Sequence, residues 1–303
     1  MSDTLTHALV IGRRRPGRKI GEAVRETQER LESAGWDVEG LVVRRKSALR
    51  GHAADAAKAG IDVVVAVGGD GAVLQVVNAI AETAVALGII PKGTGNLLAG
   101  NLGIPHPIDQ AVKVLVEGHR RRIDLGRVRV GGEDHFFAVA CGVGFDARVM
   151  EDTDTTEKRR LGKLAYVLAA IREAQHVRDV RHEITLDGAR IKRQAAQVLI
   201  ANFGQMGALI ETRREIQPDD GRFDVIVLRA PGPFLGLLAG WEALRQRNLG
   251  ASAAGHVFRA QAREIRIETK RRRLVETDGS VIGTTPISVS IRPAALTVIE
   301  PRP

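Results

Sequence analysis

The stretch IDVVVAVGGDGAVLQVV, residues 61–77, joins an apolar run directly to a glycine-rich turn and then to a helical pattern. The run over 61–67 is unbroken and largely β-branched, which is typical of a strand buried on both faces of a parallel sheet. Glycines occupy three of the four positions 68–71, so the backbone can turn tightly and approach a ligand closely. Because free N–H groups and the positive end of the next helix meet there, the turn predicts a phosphate-binding loop.

A second loop of the same kind follows the next apolar strand, over PKGTGN, residues 91–96. Its glycines free the backbone, and Thr94 and Asn96 add side-chain donors that can also cap a helix. The carboxyl ends of neighbouring parallel strands lie at one edge of a sheet, so both loops should face one crevice. Taken alone, Gly-Thr-Gly-Asn is typical of a helix-capping turn, and its pairing with the first loop is what indicates a ligand site.

Apolar runs and amphipathic stretches alternate up to about residue 120. This rhythm predicts a doubly wound α/β domain with a parallel sheet. The predicted strands cover 7–11, 38–43, 61–67 and 84–90, and the predicted helices cover 20–34, 53–59, 72–81 and 96–102.

Strands at short intervals dominate the rest of the chain, which predicts a mostly antiparallel β-sandwich. They cover 122–130, 135–141, 181–186, 194–202, 223–229, 264–268 and 287–291, with helices at 161–175 and 234–245. We therefore expect an α/β domain over 1–127 and a β-rich domain over 128–292. The segment 293–303 could pack back onto the first domain.

The composition is that of a globular protein, with 303 residues, 44% hydrophobic and 27% charged. A single cysteine, Cys141, excludes an intramolecular disulfide framework and a cysteine-rich zinc site, as expected of a cytoplasmic protein. No apolar run is long enough for a membrane-spanning helix, and the N-terminus has no signal-peptide core. The net charge of +9 favours anionic partners. Because no nucleic-acid-binding motif accompanies that charge, no specific nucleic-acid partner is expected.

Seven blocks resemble, in order and spacing, the diacylglycerol kinase catalytic family, bacterial lipid kinases related to sphingosine kinases and more distantly to NAD kinases and phosphofructokinases. They begin at residues 68, 91, 121, 136, 157, 217 and 275 and read GGDGAVLQVVNAI, PKGTGNLLAGNLGIP, RRIDLGRV, FFAVACGVGFDARVM, EKRRLGKLAYVLAAI, QPDDGRFDVIVL and VETDGSVIGTTPISVSIRPAALTVIEP. Seven ordered blocks are much more specific than any one of them.

The resemblance implies ATP-dependent, Mg²⁺-requiring transfer of the γ-phosphoryl group to a lipid hydroxyl, with diacylglycerol giving phosphatidic acid as the first expectation. The nucleotide would bind the α/β domain, and 128–292 would be the lipid-substrate domain. A protein of this kind would work in phospholipid biosynthesis, visiting anionic membrane surfaces transiently, and a homodimer is compatible with the sequence. The residues implied in nucleotide binding are Gly68, Gly69, Asp70, Gly71, Gly93, Thr94, Gly95 and Asn96.

Metal ligands also follow from the resemblance. Asp70 would hold Mg²⁺ or orient the phosphates, and Asp124 is a further candidate for that metal and water network, unless it is a surface carboxylate between arginines. A structural Mg²⁺ would bind Asp220 with the backbone carbonyls of Gln217 and Arg222. Oxygen-only ligation suits Mg²⁺. An Asp-Asp-Gly turn without an ion remains the alternative.

The resemblance also implies that the base that activates the acceptor hydroxyl lies in an Asp-Gly-Glu turn, where this chain has Asp278, Gly279 and Ser280. The carboxylate often assigned as proton acceptor is thus absent at Ser280. Asp278 becomes the first candidate and Asp146, in the block that matches a proposed base of sphingosine kinases, the second. Because phosphoryl transfer leans little on early deprotonation, losing one carboxylate need not abolish activity.

Other departures from the family pattern concern the nucleotide loops. Ala72, Gln75 and Leu97 replace the usual threonine, glutamate and aspartate, and RRR at 13–15 replaces the usual Asn-Pro turn. Those arginines could supply phosphate-binding charge or form a solvated basic turn. Two alternatives to a lipid kinase therefore stay open: a soluble kinase resembling NAD kinase, and a nucleotide- or lipid-binding module with weak catalysis.

Overall fold

The computed structural model describes residues 5–146, 179–205, 216–229 and 257–302. The helices predicted over 161–175 and 234–245 lie outside the described residues. Among the described helices, none is both long and apolar enough to cross a membrane.

The N-terminal part is an α/β unit in which the strands lie in the order β2-β1-β3-β4 and run parallel. Every residue of β3 and β4 is buried, which explains their unbroken apolar sequences. The elements are β1 (His7–Arg13), α1 (Ile20–Ser33), β2 (Asp37–Val43), α2 (Lys46–Lys58), β3 (Val63–Gly68), α3 (Asp70–Ile80), β4 (Ala86–Pro91), α4 (Leu97–Asn101) and α5 (Ile108–Glu117).

The strand order reverses between β1 and β3, since the chain moves outward to β2 on one side and to β4 on the other. Ligands of open α/β sheets bind in the crevice outside the carboxyl ends of the strands at such a reversal. Here that crevice is bordered by the loop after β1 and by the glycine loop after β3. The fold therefore places the predicted phosphate-binding loop at the expected position.

The remaining strands form two packed sheets, which confirms the predicted α/β plus β-sandwich architecture. One sheet has the order β12-β11-β10-β7-β14-β15, and the other strands join the α/β sheet to make ten in all. Side chains from both sheets form a second core, in which the rings of Phe137 and Phe223 lie 5.6 Å apart. The strands are β5 (His119–Val130), β6 (Glu133–Phe137), β7 (Ala140–Asp146), β8 (Val180–Leu186), β9 (Ala189–Ala195), β10 (Gln197–Ala201), β11 (Phe223–Leu228), β12 (Val257–Ala262), β13 (Glu264–Thr269), β14 (Arg273–Thr277), β15 (Ser280–Thr284) and β16 (Ile287–Glu300).

The long strand β16 connects the two halves of the molecule. Near its end, Thr297 and Val298 pair in parallel with β4, while its beginning pairs with β13. Along nearly its whole length it also pairs with β5. One continuous sheet therefore crosses the domain boundary, and the crevice of the α/β unit has a defined position relative to the sandwich.

Several predicted elements differ from the structure. The strand predicted over 135–141 is two strands, because the backbone turns at Ala138 and Val139 and donates there to an aspartate of another loop. The helix predicted from residue 53 begins at Lys46. Helix α5 and strands β9, β12, β14 and β15 were not predicted. Strand β9, ARIKRQA, is almost entirely exposed and has no apolar alternation that would reveal it.

Candidate active site

The two glycine loops touch each other. The Lys92 N–H donates to the Gly68 carbonyl at 2.7 Å. A Cβ on Gly69 would lie 2.7 Å from the Cα of Gly93, closer than any side chain could come. The glycines at these two positions are therefore required by the contact between the loops, and not only by a ligand as the sequence suggested. This contact brings the candidate residues of both loops to one place.

Asp70 holds the second loop in position from the start of α3. Its carboxylate accepts the N–H of Asn96 at 3.0 Å and that of Leu97 at 2.5 Å, so it caps α4 from outside that helix. A Cβ on Gly95 would lie 2.7 Å from Oδ2 of Asp70, so a side chain there would displace the carboxylate. Asp70 thus organises the crevice in addition to any contact it makes with a ligand.

Asn96 is buried, 5% exposed, in a left-handed conformation with φ 50°. Its Oδ1 accepts the Gly93 N–H at 2.8 Å and its Nδ2 donates to the Gly93 carbonyl at 3.2 Å. The side chain that was predicted to contact nucleotide is therefore occupied in closing the loop on itself. Thr94, by contrast, is exposed at the tip.

Arg18 is a candidate site residue that sequence reasoning missed. It lies in the loop after β1, and its guanidinium donates to the Thr94 hydroxyl at 3.2 Å and to the Lys92 carbonyl at 3.4 Å. It therefore spans the crevice from one loop to the other. The basic run at 13–15 signalled charge in this loop. Which arginine reaches the second glycine loop depends on the turn at Gly17 (φ 70°). Composition alone does not reveal that turn.

Asp278 comes to the crevice from the sandwich, in the turn between β14 and β15. Its carboxylate accepts the N–H groups of Ala138, Val139 and Ala140 at 2.8, 2.9 and 2.9 Å. Burial raises the pKa of Asp278 to about 6, and the negative charge of Asp70 adds to the rise, while the three backbone hydrogen bonds oppose it. Asp278 therefore changes charge close to neutral pH, as a general base needs to.

A cavity of about 10 Å³ separates Asp278 from the glycine loops, which is room for about one water molecule. Asp70, Asn96 and Asp278 are its polar lining, and Leu74 and Val139 belong to its apolar walls. Residues of both domains thus close over a single small space.

Ser280, two residues after Asp278, also faces the glycine loop. A Cβ built on Gly71 would lie 4.0 Å from its hydroxyl oxygen. The turn between β14 and β15 therefore approaches the N-terminus of α3, and the residue that departs from the family pattern lies beside the predicted nucleotide loop.

The backbone of Asp146, predicted as a second candidate base, lies further along β7 than the residues that contact Asp278. The backbone of Asp146 pairs with Arg273 at the start of β14, whereas the Asp278 N–H donates to the Ala140 carbonyl at the other end. Five residues of extended chain separate Arg273 from Asp278, which corresponds to about 17 Å at roughly 3.4 Å per residue. The strand geometry places Asp278, and not the backbone of Asp146, beside the crevice.

Asp124 is buried, 3% exposed, which rules out the alternative of a surface carboxylate. Its two carboxylate oxygens accept the N–H of Gly221 at 2.8 Å and that of Ala294 at 2.7 Å, and its own N–H donates to the Pro218 carbonyl at 2.6 Å. These contacts fasten the 217–222 turn to β16. We call this group of residues the Asp124 clamp.

The predicted structural-metal turn lies beside the clamp. Asp219 pairs with Arg121 at 2.8 Å, and the exposed Asp220 accepts the Arg222 N–H at 2.9 Å. In the described part of the chain, no cluster of three or more His, Cys, Asp or Glu side chains could hold a metal ion. An ion here would therefore depend on Asp220 and backbone carbonyls, a donor set that fits Mg²⁺.

The fold and the crevice define a two-domain protein with a glycine-rich loop after β3 and an acidic group, Asp278, facing it from the sandwich. The models of known families agree: residues 7–128 match the diacylglycerol kinase catalytic domain, and residues 139–300 match the YegS C-terminal NAD kinase beta sandwich-like domain. The chain belongs to the diacylglycerol kinase family of lipid kinases.

Two relatives named as diacylglycerol kinases agree with this assignment, and a third similar protein is uncharacterized. A diacylglycerol kinase of Mycobacterium tuberculosis is 30% identical over 90% of this chain and 88% of its own length. A crystal structure of a candidate diacylglycerol kinase from Bacillus anthracis superimposes with a TM-score of 0.82 at 25% identity, covering 99% of this chain and 98% of that one. An uncharacterized protein of Synechocystis is 29% identical over 80% of this chain, which spans about half (55%) of that longer relative.

Proposed function

We propose that this protein transfers the γ-phosphoryl group of ATP to a lipid hydroxyl, with diacylglycerol as acceptor and phosphatidic acid as product. The single observation that supports this most is the position of Asp278. A carboxylate with a near-neutral pKa projects from the sandwich to within one water-sized cavity of the glycine loops. Phosphoryl transfer requires positioning and charge neutralisation more than covalent chemistry, and the glycine loops with Arg18 would serve these two needs.

The nucleotide phosphates would lie against the loop over 68–71 and the N-terminus of α3. No side chain caps that helix, so its first N–H groups can bind phosphate oxygens. The exposed Thr94 and the guanidinium of Arg18 would border the same phosphates from the other side. Bidentate donation by a guanidinium suits a phosphate chain, which makes Arg18 a positioning residue with charge of the right sign.

Two all-oxygen donor sets would hold Mg²⁺. At the crevice the ligand would be Asp70, and at the turn beside the Asp124 clamp the ligands would be Asp220 with the carbonyls of Gln217 and Arg222. When bound, a divalent ion at the crevice neutralises the charge that develops on the transferring phosphoryl group. The clamp itself would keep the turn in place, because both oxygens of Asp124 are engaged by backbone N–H groups.

Asp278 would accept the proton of the acceptor hydroxyl. Three backbone N–H groups hold its carboxylate in one orientation, so it needs no rearrangement when the hydroxyl arrives. Its raised pKa makes it a stronger base than an ordinary aspartate while leaving it ionised at neutral pH. The acceptor would enter from the side of the lipid-substrate domain.

The test is an assay with ATP, Mg²⁺ and detergent micelles that contain diacylglycerol, a sphingoid base or neither, with NAD as a soluble alternative acceptor. With radiolabelled ATP, we expect the native protein to transfer the label to diacylglycerol. The Asp70→Ala variant should no longer transfer it. Asp37→Ala is a matched control, because Asp37 is an exposed aspartate at the start of β2 and pairs only with His7 among the described residues. Transfer to NAD without transfer to lipid, or ATP binding without transfer to any acceptor, would contradict the proposal.

A further inference from the structure

The segment 138–140, whose three N–H groups bind the candidate base, is also held by its three carbonyls. The last of them accepts the Asp278 N–H at 3.0 Å. The Val139 carbonyl accepts the backbone N–H groups of Asn202 at 2.9 Å and of the next residue at 3.3 Å. The Ala138 carbonyl accepts a hydrogen bond from Nδ2 of Asn202 at 2.8 Å. Among the described residues, Asn202 and Asp278 are thus the only ones whose side chains hydrogen bond to this segment.

The geometry of a peptide bond connects Asn202 to the candidate base. A trans peptide is planar, and its C=O and N–H point in opposite directions, so fixing the carbonyl fixes the N–H as well. The Ala138 carbonyl and the Val139 N–H belong to one such peptide. Asn202 binds the carbonyl, and the N–H donates to Oδ1 of Asp278 at 2.9 Å. A rotation of this peptide would therefore break both hydrogen bonds together.

Asn202 is itself held in one orientation. It directly follows β10 and is completely buried, with 0% of its surface exposed. Its Nδ2 also donates to the backbone carbonyl of Asp124 at 2.8 Å, which anchors the side chain on the central residue of the Asp124 clamp. The opposite orientation of the amide would place its oxygen against two carbonyl oxygens, none of which can donate. The two partners therefore fix Nδ2 as the atom that faces Ala138.

The amide oxygen of Asn202 shows what the side chain is needed for. This Oδ1 is buried and accepts no hydrogen bond from the described part of the chain. A buried polar atom without a partner is destabilising. An apolar side chain would avoid that cost, but it would leave the carbonyls of Asp124 and Ala138 without a donor. The two hydrogen bonds that Asn202 donates thus account for an asparagine at this position.

We propose that Asn202 is a positioning residue for the transfer reaction. Its amide orients the peptide between Ala138 and Val139, so that the N–H of this peptide holds the Asp278 carboxylate in place. The inference rests on the proposed function, because it concerns the base of that reaction. Asn202 is not part of the lining of the cavity between Asp278 and the glycine loops. It therefore acts through the backbone and not on the substrate.

The proton affinity of the base is where this role becomes measurable. The backbone N–H groups favour the ionised carboxylate and so oppose the rise in the pKa of Asp278. Losing one of them should raise that pKa further. Three other ionisable groups lie near Asp278, namely Asp70 on α3, Cys141 on β7 and Glu276 on β14. Substitution of Asn202 leaves all three in place, so a further rise would report on the lost N–H.

The test is the pH dependence of kcat/KM for diacylglycerol phosphorylation by the native protein and by Asn202→Leu. The acidic limb of the variant should move up by about one pH unit, so its loss of kcat/KM should be about sevenfold larger at pH 5.5 than at pH 8. Asn101→Leu is the matched control, because Nδ2 of Asn101 also donates to two carbonyls, at 2.9 and 2.7 Å. It should keep the acidic limb of the native protein. A loss in Asn202→Leu that is equal at both pH values would overturn the inference.

A second variant and a second readout make the test independent of folding and of turnover. Asn202→Ser leaves room for water on the freed carbonyls, so it should fold more readily and move the limb in the same direction by less. NMR titration of the Asp278 carboxyl carbon, assigned by its absence from Asp278→Asn, measures the pKa directly. If no protein phosphorylates diacylglycerol, the proposed function fails, while this titration still decides the role of Asn202. A native pKa of Asp278 in both folded Asn202 variants, or an equal rise in Asn101→Leu, would contradict that role.

Discussion

Asp124 and Asp278 each accept backbone N–H groups with both carboxylate oxygens, as Asp70 does too, and the two lie in regions with opposite characters. Asp124 is 3% exposed and joins a turn to a strand. Asp278 lines a water-sized cavity beside the glycine loops, and its pKa is raised to about 6. Similar hydrogen bonding thus produces a structural clamp in one place and a candidate base in the other. The surroundings of each carboxylate, and not its own hydrogen bonds, decide whether it is a structural clamp or a candidate base.

Replacement of Asp278 by asparagine should have the largest effect. The amide keeps the shape but cannot accept a proton, so kcat on diacylglycerol should fall about 1,000-fold, within the range for general bases. The free energy of unfolding in urea should change by much less than the fall in kcat represents. Removing the buried charge offsets the loss of one acceptor for a backbone N–H. A variant that keeps the native rate would place Asp278 in the same structural class as Asp124.

Asp124→Asn should show the opposite behaviour. Its amide would present an N–H to one of the two backbone donors, leaving that donor unsatisfied, and the free energy of unfolding should fall by about 2 kcal/mol. The measurement is the urea midpoint, with Asp220→Asn as the exposed control that should shift it far less. If Asp124→Asn leaves the midpoint unchanged but abolishes activity, the clamp description is wrong.

Two arginines extend the comparison. Arg18 bonds the second glycine loop, whereas Arg121 pairs with Asp219 beside the clamp. Arg18→Ala should weaken ATP binding about tenfold, measured by titration calorimetry, because it removes a charge-assisted contact and loosens the loop. Arg121→Ala should leave ATP affinity unchanged. Equal effects of the two substitutions would show that Arg18 acts through general charge alone.

Ser280→Glu should have the smallest effect. It restores the carboxylate that the family pattern places beside the glycine loop. If Asp278 is the base, kcat should change by less than about threefold, whereas a rise of about 100-fold would assign the missing carboxylate as the better base. The assay is the same transfer to diacylglycerol, with Ser280→Gln as the uncharged control.

The elements that surround the crevice could be predicted from sequence because their signals are local. An unbroken β-branched run marks β3, and glycines at fixed positions mark both loops. The close spacing of strands after about residue 120 indicated the sandwich, and the order of blocks along the chain indicated the family. Strands such as β9 were not predicted, because an exposed edge strand has no alternating apolar pattern in its sequence.

The partners of the site residues could not be predicted, because they depend on contacts between distant parts of the chain. Nothing near Asp70 in sequence shows that it caps α4, 27 residues away. Likewise the separation of Asp146 from Asp278 follows from the strand pairing of β7 with β14. Both aspartates are plausible bases in the sequence, and only the register shows that one of them lies at the far end of the strand.

The measurement that tests the account most directly is the pH dependence of kcat/KM for diacylglycerol phosphorylation by the native protein and by Asp278→Asn. The base must be deprotonated to act, and burial raises the pKa of Asp278 to about 6, so the native kcat/KM should fall as the pH drops below about 6. The variant should be slow and should lack this acidic limb. A variant that retains both the native rate and the native acidic limb would contradict the assignment of Asp278 as the base.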